Sequence, residues 1–167
     1  VKILNELGTP CIIHQPSYNM MNRWVEEDGL LNTLAELGVG SIAFTPLAQG
    51  LLTDKYLKTI PANSRAMQEK SLDKGKISID MIANLNHLNK IATTRNQTLA
   101  QMAIAWVLRK EKVTTALIGA SNSNQILDCV GAIENLTFSD AELQEIDRYA
   151  KEESLNLWAT SAELETP

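Results

Sequence analysis

Three short stretches of this sequence carry side chains and backbone groups suited to holding a ligand, and each follows an apolar run. The first is His14-Gln15-Pro16-Ser17-Tyr18-Asn19. The Gln15 amide both donates and accepts hydrogen bonds, which suits recognition of another amide; the plainer alternative is a loop glutamine satisfied by backbone. The second is Phe44-Thr45-Pro46-Leu47-Ala48-Gln49-Gly50. Phe44 offers a flat face for stacking on a heteroaromatic ring, or is a core aromatic, and the backbone amides around Leu47 and Gly50 could approach a phosphate. The third, Gly119-Ala120-Ser121-Asn122-Ser123-Asn124-Gln125, has small residues and leads into a helix. The first turn of a helix carries unpaired N–H groups and the positive end of its dipole, so this is a phosphate seat in outline. Ser123 acting only as a helix cap would use the same donors. No metal-ligating set is expected.

A parallel sheet is what would position these stretches. Leu4-Asn5-Glu6-Leu7-Gly8 followed by Cys11-Ile12-Ile13 recurs thirty residues later as Leu34-Ala35-Glu36-Leu37-Gly38 followed by Ser41-Ile42-Ala43. Helix end, glycine cap and strand come twice in the same order, at the spacing of a strand-helix-strand unit. The strands are short apolar runs without alternation, the pattern of strands covered on both faces. A third, Thr115-Ala116-Leu117-Ile118, ends in Gly119. Between the second and third strands lie a polar loop over 48–76 and two helices. One has Met81, Ile82, Leu85, Leu88, Ile91 and Ala92 at helical spacing, and the other has Leu99, Met102, Ala103, Trp106 and Val107 on one stripe. Thr98-x-x-Gln101 and Ser139-x-x-Glu142 read as capping boxes, and a helix is expected over 123–135. The fold class is α/β. Three parallel strands leave two bare edges, so the sheet is expected to be part of a barrel of eight strand-helix units, which usually takes about 250 residues. The segment with Ile3, Leu4 and Leu7 is too short for an independent helix and reads as the end of a longer one.

Composition narrows the function. With 167 residues, 44% of them hydrophobic, the chain can build one core without disulfides or metals. Its 20 acidic against 15 basic residues argue against binding nucleic acid through phosphate neutralisation. No apolar run approaches the ~20 residues that cross a bilayer, and no signal pattern opens the chain, so a cytoplasmic protein with no membrane partner is expected. Cys11 and Cys129 are expected to be reduced and partly buried rather than bridged.

Four separated motifs then agree in order and spacing. Gln15-x-x-Tyr18-Asn19, Phe44-Thr45-Pro46-Leu47-Ala48-Gln49-Gly50-Leu51-Leu52-Thr53-x-Lys55-Tyr56, Ser64-Arg65 and Leu117-Ile118-Gly119-Ala120-Ser121-Asn122-x-x-Gln125 together resemble the aldo-keto reductases. The nearest branch is that of bacterial reductases akin to the potassium-channel beta subunits. The resemblance covers residues 1–158, leaving 159–167 as a tail, and implies the carboxyl-terminal portion of a (β/α)8 TIM barrel with three parallel strands and flanking helices. It also implies NADP (NADPH) as cofactor and reduction of small aldehydes or ketones by hydride transfer. Gln15 would then hold the nicotinamide carboxamide and Phe44 would stack on the ring. Pro46, Leu47, Ala48 and Gly50 would line the pyrophosphate, with Lys55 nearby. Arg65, Ser121 and Gln125 would approach the adenosine and its 2′-phosphate, and Thr45 and Gly119 complete the set.

The sequence departs from the family pattern in two respects. Asp128 and Cys129 stand where the family commonly has Glu-Asn; Asp128 is one methylene shorter in its reach toward an adenine amine, and Cys129 cannot replace an amide. The family's catalytic Tyr, with its Lys, Asp and His, belongs to the first half of the barrel. Tyr18, Tyr56, Tyr149, His14 and His87 do not match that setting, so no catalytic residue is assigned and the chain alone is expected to be inactive or nearly so. A non-catalytic nucleotide-binding or regulatory module is one alternative. Another is a fragment that needs a separately encoded amino-terminal half, and the bare edges also suit a homo-oligomer.

Overall fold

A computed structural model describes residues 1–60 and 77–151 of the chain. Ser64 and Arg65, and the boundary expected at 158, lie outside the described residues.

Strands β1 (Ile13–His14), β2 (Gly40–Phe44) and β3 (Thr115–Leu117) form one parallel sheet in that order. Ile13 lies opposite Gly40 and His14 opposite Ser41. The same register continues beyond β1, where Ser17 meets Phe44 in an isolated parallel bridge. On the other side Phe44 lies opposite Leu117. The three strands therefore end abreast, and all three ligand-suited stretches leave the sheet at the carboxyl ends of its strands.

Helices supply the crossovers that parallel strands require. They are α1 (Lys2–Glu6), α2 (Trp24–Glu27), α3 (Leu30–Glu36), α4 (Ile79–Thr94), α5 (Leu99–Leu108), α6 (Ser123–Val130) and α7 (Asp140–Tyr149). The sequence repeat is also a repeat of geometry. Gly8 and Gly38 follow α1 and α3 with φ of 69° and 66°, a left-handed conformation that costs glycine no Cβ clash. Just beyond them, the Thr9 amide donates to the Leu4 carbonyl at 2.8 Å and the Val39 amide to the Leu34 carbonyl at 2.9 Å. Both expected capping boxes are formed, at Thr98/Gln101 and at Ser139/Glu142.

The core lies between the sheet and α4, α5 and α7. Helix α5 is apolar nearly all round and correspondingly buried, with Trp106 fully enclosed. Helix α4 turns Met81, Leu85, Leu88, Ile91 and Ala92 inward from the predicted stripe. The helix expected over 123–135 is shorter: α6 stops at Val130 and a 3₁₀ turn covers Gly131–Glu134.

Burial of the strands departs from expectation. In β2 Ser41 and Ala43 are buried against the helices, while Gly40, Ile42 and Phe44 on the opposite face are only partly covered. Ile13 and Leu117, in register on that same face, are 48% and 52% exposed. Among the described residues, then, one face of the sheet is packed and the other is bare. Unbroken apolar strands show that both faces are suited to burial, not that this chain supplies both covers. Ile126, Leu127, Val130 and Ile133 form a second exposed apolar strip along α6 and the 3₁₀ turn.

A single carboxylate ties the β1–α2 segment to α5. Glu26 Oε1 accepts from the Tyr18 hydroxyl at 2.6 Å, from Arg109 at 2.8 Å and from Lys110 at 2.9 Å, and Oε2 accepts from Arg23 at 2.7 Å. The Arg109 guanidinium also lies 3.6 Å over the Trp106 ring. Burial alone would raise the Glu26 carboxyl. Hydrogen bonds from Tyr18, Lys110 and Arg23, with the charge of Arg109, outweigh burial and hold it down at about 2. The Tyr18 phenol is pushed well above its ordinary range, first by burial and then by the Glu26 carboxylate.

Because the folded-state value of Glu26 lies below the ordinary 4.5, its stabilisation is complete above that pH and is lost as pH falls toward 2. Glu26→Gln leaves the buried Arg109 without its counter-charge and is expected to cost roughly 3 kcal/mol near neutral pH, in the range for breaking a buried pair. Urea melts followed from neutral to acid pH check this: the wild-type chain loses stability across that acid window, and the variant starts lower and loses less.

Candidate cofactor site

The groove is built where the sheet ends and the chain turns away from it. Directly after β2, Thr45 has φ of 56°, Ala48 of 45°, Gln49 of 59° and Gly50 of 98°. Four left-handed residues among six fold Thr45–Gly50 into a tight knuckle. Within it the Ala48 amide donates to the Thr45 carbonyl at 2.9 Å and the Gly50 amide to the Leu47 carbonyl at 2.8 Å. The Gly50 amide, one of the expected phosphate donors, is thus engaged inside the knuckle. Thr53 Oγ1 donates to the Gly50 carbonyl at 2.6 Å, and the Thr53 side chain caps the following 3₁₀ turn that carries Lys55.

From this knuckle a groove of about 1360 Å³ runs across the sheet end to α6. Of the residues singled out from sequence, it is lined by Phe44, Thr45, Pro46, Leu47, Gly50, Lys55, Gly119, Ser121, Gln125 and Asp128. Ala48 lies buried in the knuckle and is not among its walls. Gln15 is not a wall either: it is exposed just beyond β1, and the common register puts it on the bare face that also carries Phe44. Arg65 lies outside the described residues. Among the described residues Lys55 has no carboxylate partner, so its charge is available to a ligand anion.

At the far end the cap of α6 is Asn122, not Ser123 as the sequence reading allowed. Asn122 Oδ1 accepts from the Gln125 amide at 3.1 Å, and Gln125 Oε1 accepts from the Ser121 amide at 2.8 Å. One donor of this first turn, the Gln125 amide, and the Ser121 amide just before the cap are therefore satisfied by side chains, which an incoming anion would have to displace. Asp128 is fixed by Thr98, whose hydroxyl lies 3.2 Å from both carboxylate oxygens. Burial, and then the Asp128 charge, push the Cys129 thiol up, so this groove cysteine stays a thiol at neutral pH.

Asn89, Thr93 and Gln97, which belong to none of the strand-end motifs, also line the groove from the end of α4 and the turn after it. Their spacing of four was visible as a polar counterpart to the apolar stripe of α4. Gln49 also lines the groove, and among the described residues its buried Oε1 has no hydrogen-bond partner.

Comparison with known proteins agrees with this architecture. The family model "Aldo/keto reductase family" matches residues 1–151. The chain is 50% identical over 168 aligned positions to L-glyceraldehyde 3-phosphate reductase of Escherichia coli (strain K12), covering 98% of this chain and 48% of that protein. It is 36% identical over 126 positions to a probable voltage-gated potassium channel subunit beta of Oryza sativa subsp. japonica, covering 74% of this chain and 38% of that protein. Among solved structures, a thermostable aldo-keto reductase superposes with a TM-score of 0.58 at 23% identity, covering 89% of this chain and 43% of that one. The chain belongs to the aldo/keto reductase family and has the α/β architecture of part of its barrel. It spans about half the length of the curated relatives it matches most fully.

Gln49 combines a left-handed backbone with a buried carbonyl oxygen that lacks a partner among the described residues. Gln49→Gly removes both penalties and is expected to raise stability by about 1 kcal/mol, read as a higher midpoint in thermal unfolding.

Proposed function

We propose that the groove holds NADPH and that the chain is the cofactor-binding portion of an NADP-dependent aldo-keto reductase acting on small aldehydes or ketones. The observation that carries this reading is that one groove gathers an aromatic face at Phe44, a glycine-containing knuckle with the Lys55 ammonium, and Ser121 and Gln125 at the start of α6. A dinucleotide presents the complementary groups: an aromatic ring, a pyrophosphate and an adenosine phosphate. When bound, the cofactor supplies the hydride that reduces a carbonyl carbon.

The chain's own residues bind and orient. Phe44 offers a stacking surface and Gln15, on the same sheet face, a carboxamide partner. Lys55 neutralises phosphate charge. Gln125 and Ser121 exchange their mutual hydrogen bond for bonds to the adenosine end, where Asp128, held by Thr98, faces the adenine. Arg65 is the remaining candidate for the 2′-phosphate, and a guanidinium there would favour NADPH over NADH. The name of the 50%-identical relative suggests that the substrate is a short aldehyde.

Carbonyl reduction also needs a proton, and none of the described tyrosines is placed to give it. Tyr18 is bonded to Glu26, and Tyr149 is stacked on His87 at 4.3 Å. Tyr56 lines the groove but is buried to 2% exposure. The proton donor of the working enzyme is then supplied by polypeptide beyond these residues. The bare apolar face of the sheet supports the same reading, since a barrel's remaining strands, or a second copy, would cover it.

Titration calorimetry checks the binding claim. NADPH is expected to bind more tightly than NADH, and Lys55→Ala to weaken NADPH several-fold without changing the fold. Mixed with NADPH and methylglyoxal, the chain alone is expected to give no rate above background.

A further inference from the structure

The knuckle after β2 is strained, and the strain is largest at Thr45. A β-branched residue at φ of 56° is an outlier that persists only where its surroundings over-determine it. Two neighbouring groups do so, and both come from the loop after β1. Asn19 Nδ2 donates to the Thr45 carbonyl at 3.0 Å. Ser17 Oγ lies 2.9 Å from Thr45 Oγ1, which itself donates to the Phe44 carbonyl at 2.7 Å. Asn22 Nδ2 completes the chain by donating to Ser17 Oγ at 3.2 Å.

Asn19 is itself rigid. Its backbone exchanges hydrogen bonds with Asn22 in both directions, at 3.2 and 3.0 Å. Its Oδ1 accepts from the Met21 amide at 2.9 Å, which fixes which end of the side-chain amide faces Thr45. The residue is 4% exposed, as is Asn22, and neither lines the groove. A buried side chain that spends both ends of its amide on backbone, one end on a strained residue beside the ligand groove, is built to hold that residue's conformation.

We propose that Asn19 is a positioning residue: it clamps the Thr45 carbonyl and so keeps Thr45 left-handed, which sets Phe44 and the Pro46–Gly50 knuckle at the nicotinamide end of the groove. This rests on the reading of the groove as a cofactor site. The clamp acts on one end only, because Ser121, Gln125 and Asp128 are positioned by α6 and Thr98 and share no hydrogen bond with Asn19.

The test uses Asn19→Ser, whose shorter hydroxyl cannot span to Thr45, and Asn19→Asp, which retains the acceptor for Met21 and loses the donor. Affinities for NADPH and for adenosine 2′,5′-bisphosphate, which lacks the nicotinamide half, are measured by calorimetry, and amide hydrogen exchange is followed over residues 46–52. Both variants are expected to bind NADPH roughly fivefold to tenfold more weakly, the worth of one hydrogen bond, to bind the bisphosphate as the wild-type chain does, and to exchange faster over the knuckle. Equal weakening for the two ligands, or unchanged NADPH affinity, overturns the proposal. If Asn19→Asp does not fold, Asn19→Ser decides alone. Should the wild-type chain bind neither ligand, the cofactor reading fails on its own account; unchanged exchange in Asn19→Ser then also removes the clamp, and faster exchange retains it.

Discussion

Backbone pairing in one continuous register brings Ser17, Phe44 and Leu117 side by side at the end of three parallel strands, although long stretches of chain separate them. The proposed contacts at Gln15, Phe44 and the start of α6 follow from that alignment. A shift by one residue would turn Phe44 toward the helices and Ala43 toward the bare face, because side chains alternate along a strand. The helical layer holds the register: Ser41 and Ala43 are small enough to lie against it, and α5, apolar nearly all round, fills the space behind them.

Two polar devices then fix the loops that leave the sheet. One is the Glu26 carboxylate, which gathers Tyr18, Arg23, Arg109 and Lys110 and so anchors the segment after β1 to α5. The other is the set of short bonds by which Ser17 and Asn19 grip Thr45. The loop after β1 lies between them. It is tied on one side to the helical layer and on the other to the strained knuckle, so stability at Glu26 and geometry at Thr45 are linked through a few intervening residues.

What was legible in the sequence was local. The glycine-terminated helices, both capping boxes and the three apolar strands depend on residues within a few positions of one another, and all are present. The cap of α6 was misplaced by one residue because Asn122 and Ser123 are both good caps and only backbone geometry chooses between them. Covering of both sheet faces is expected from the strands and is not found among the described residues, since apolar strands record an environment without saying which polypeptide provides it. The Glu26 cluster was invisible for a different reason. Its partners Arg109 and Lys110 are remote in sequence, and lone charges read as solvent-facing until the fold brings them together. Groove residues on strand-end motifs were found, whereas Asn89, Thr93 and Gln97 were hidden in an ordinary amphipathic helix and the turn after it.

One groove, from Phe44 across the knuckle to the start of α6, is proposed to accept a nicotinamide dinucleotide along its length. Backbone amide shifts of the isotopically labelled chain during titration with NADPH test it most directly. Binding along the groove predicts saturable changes in both Phe44–Leu52 and Ser121–Asp128, with the helical layer around Leu85 and Ile146 unmoved. Changes confined to one of these segments, or located elsewhere, would contradict it.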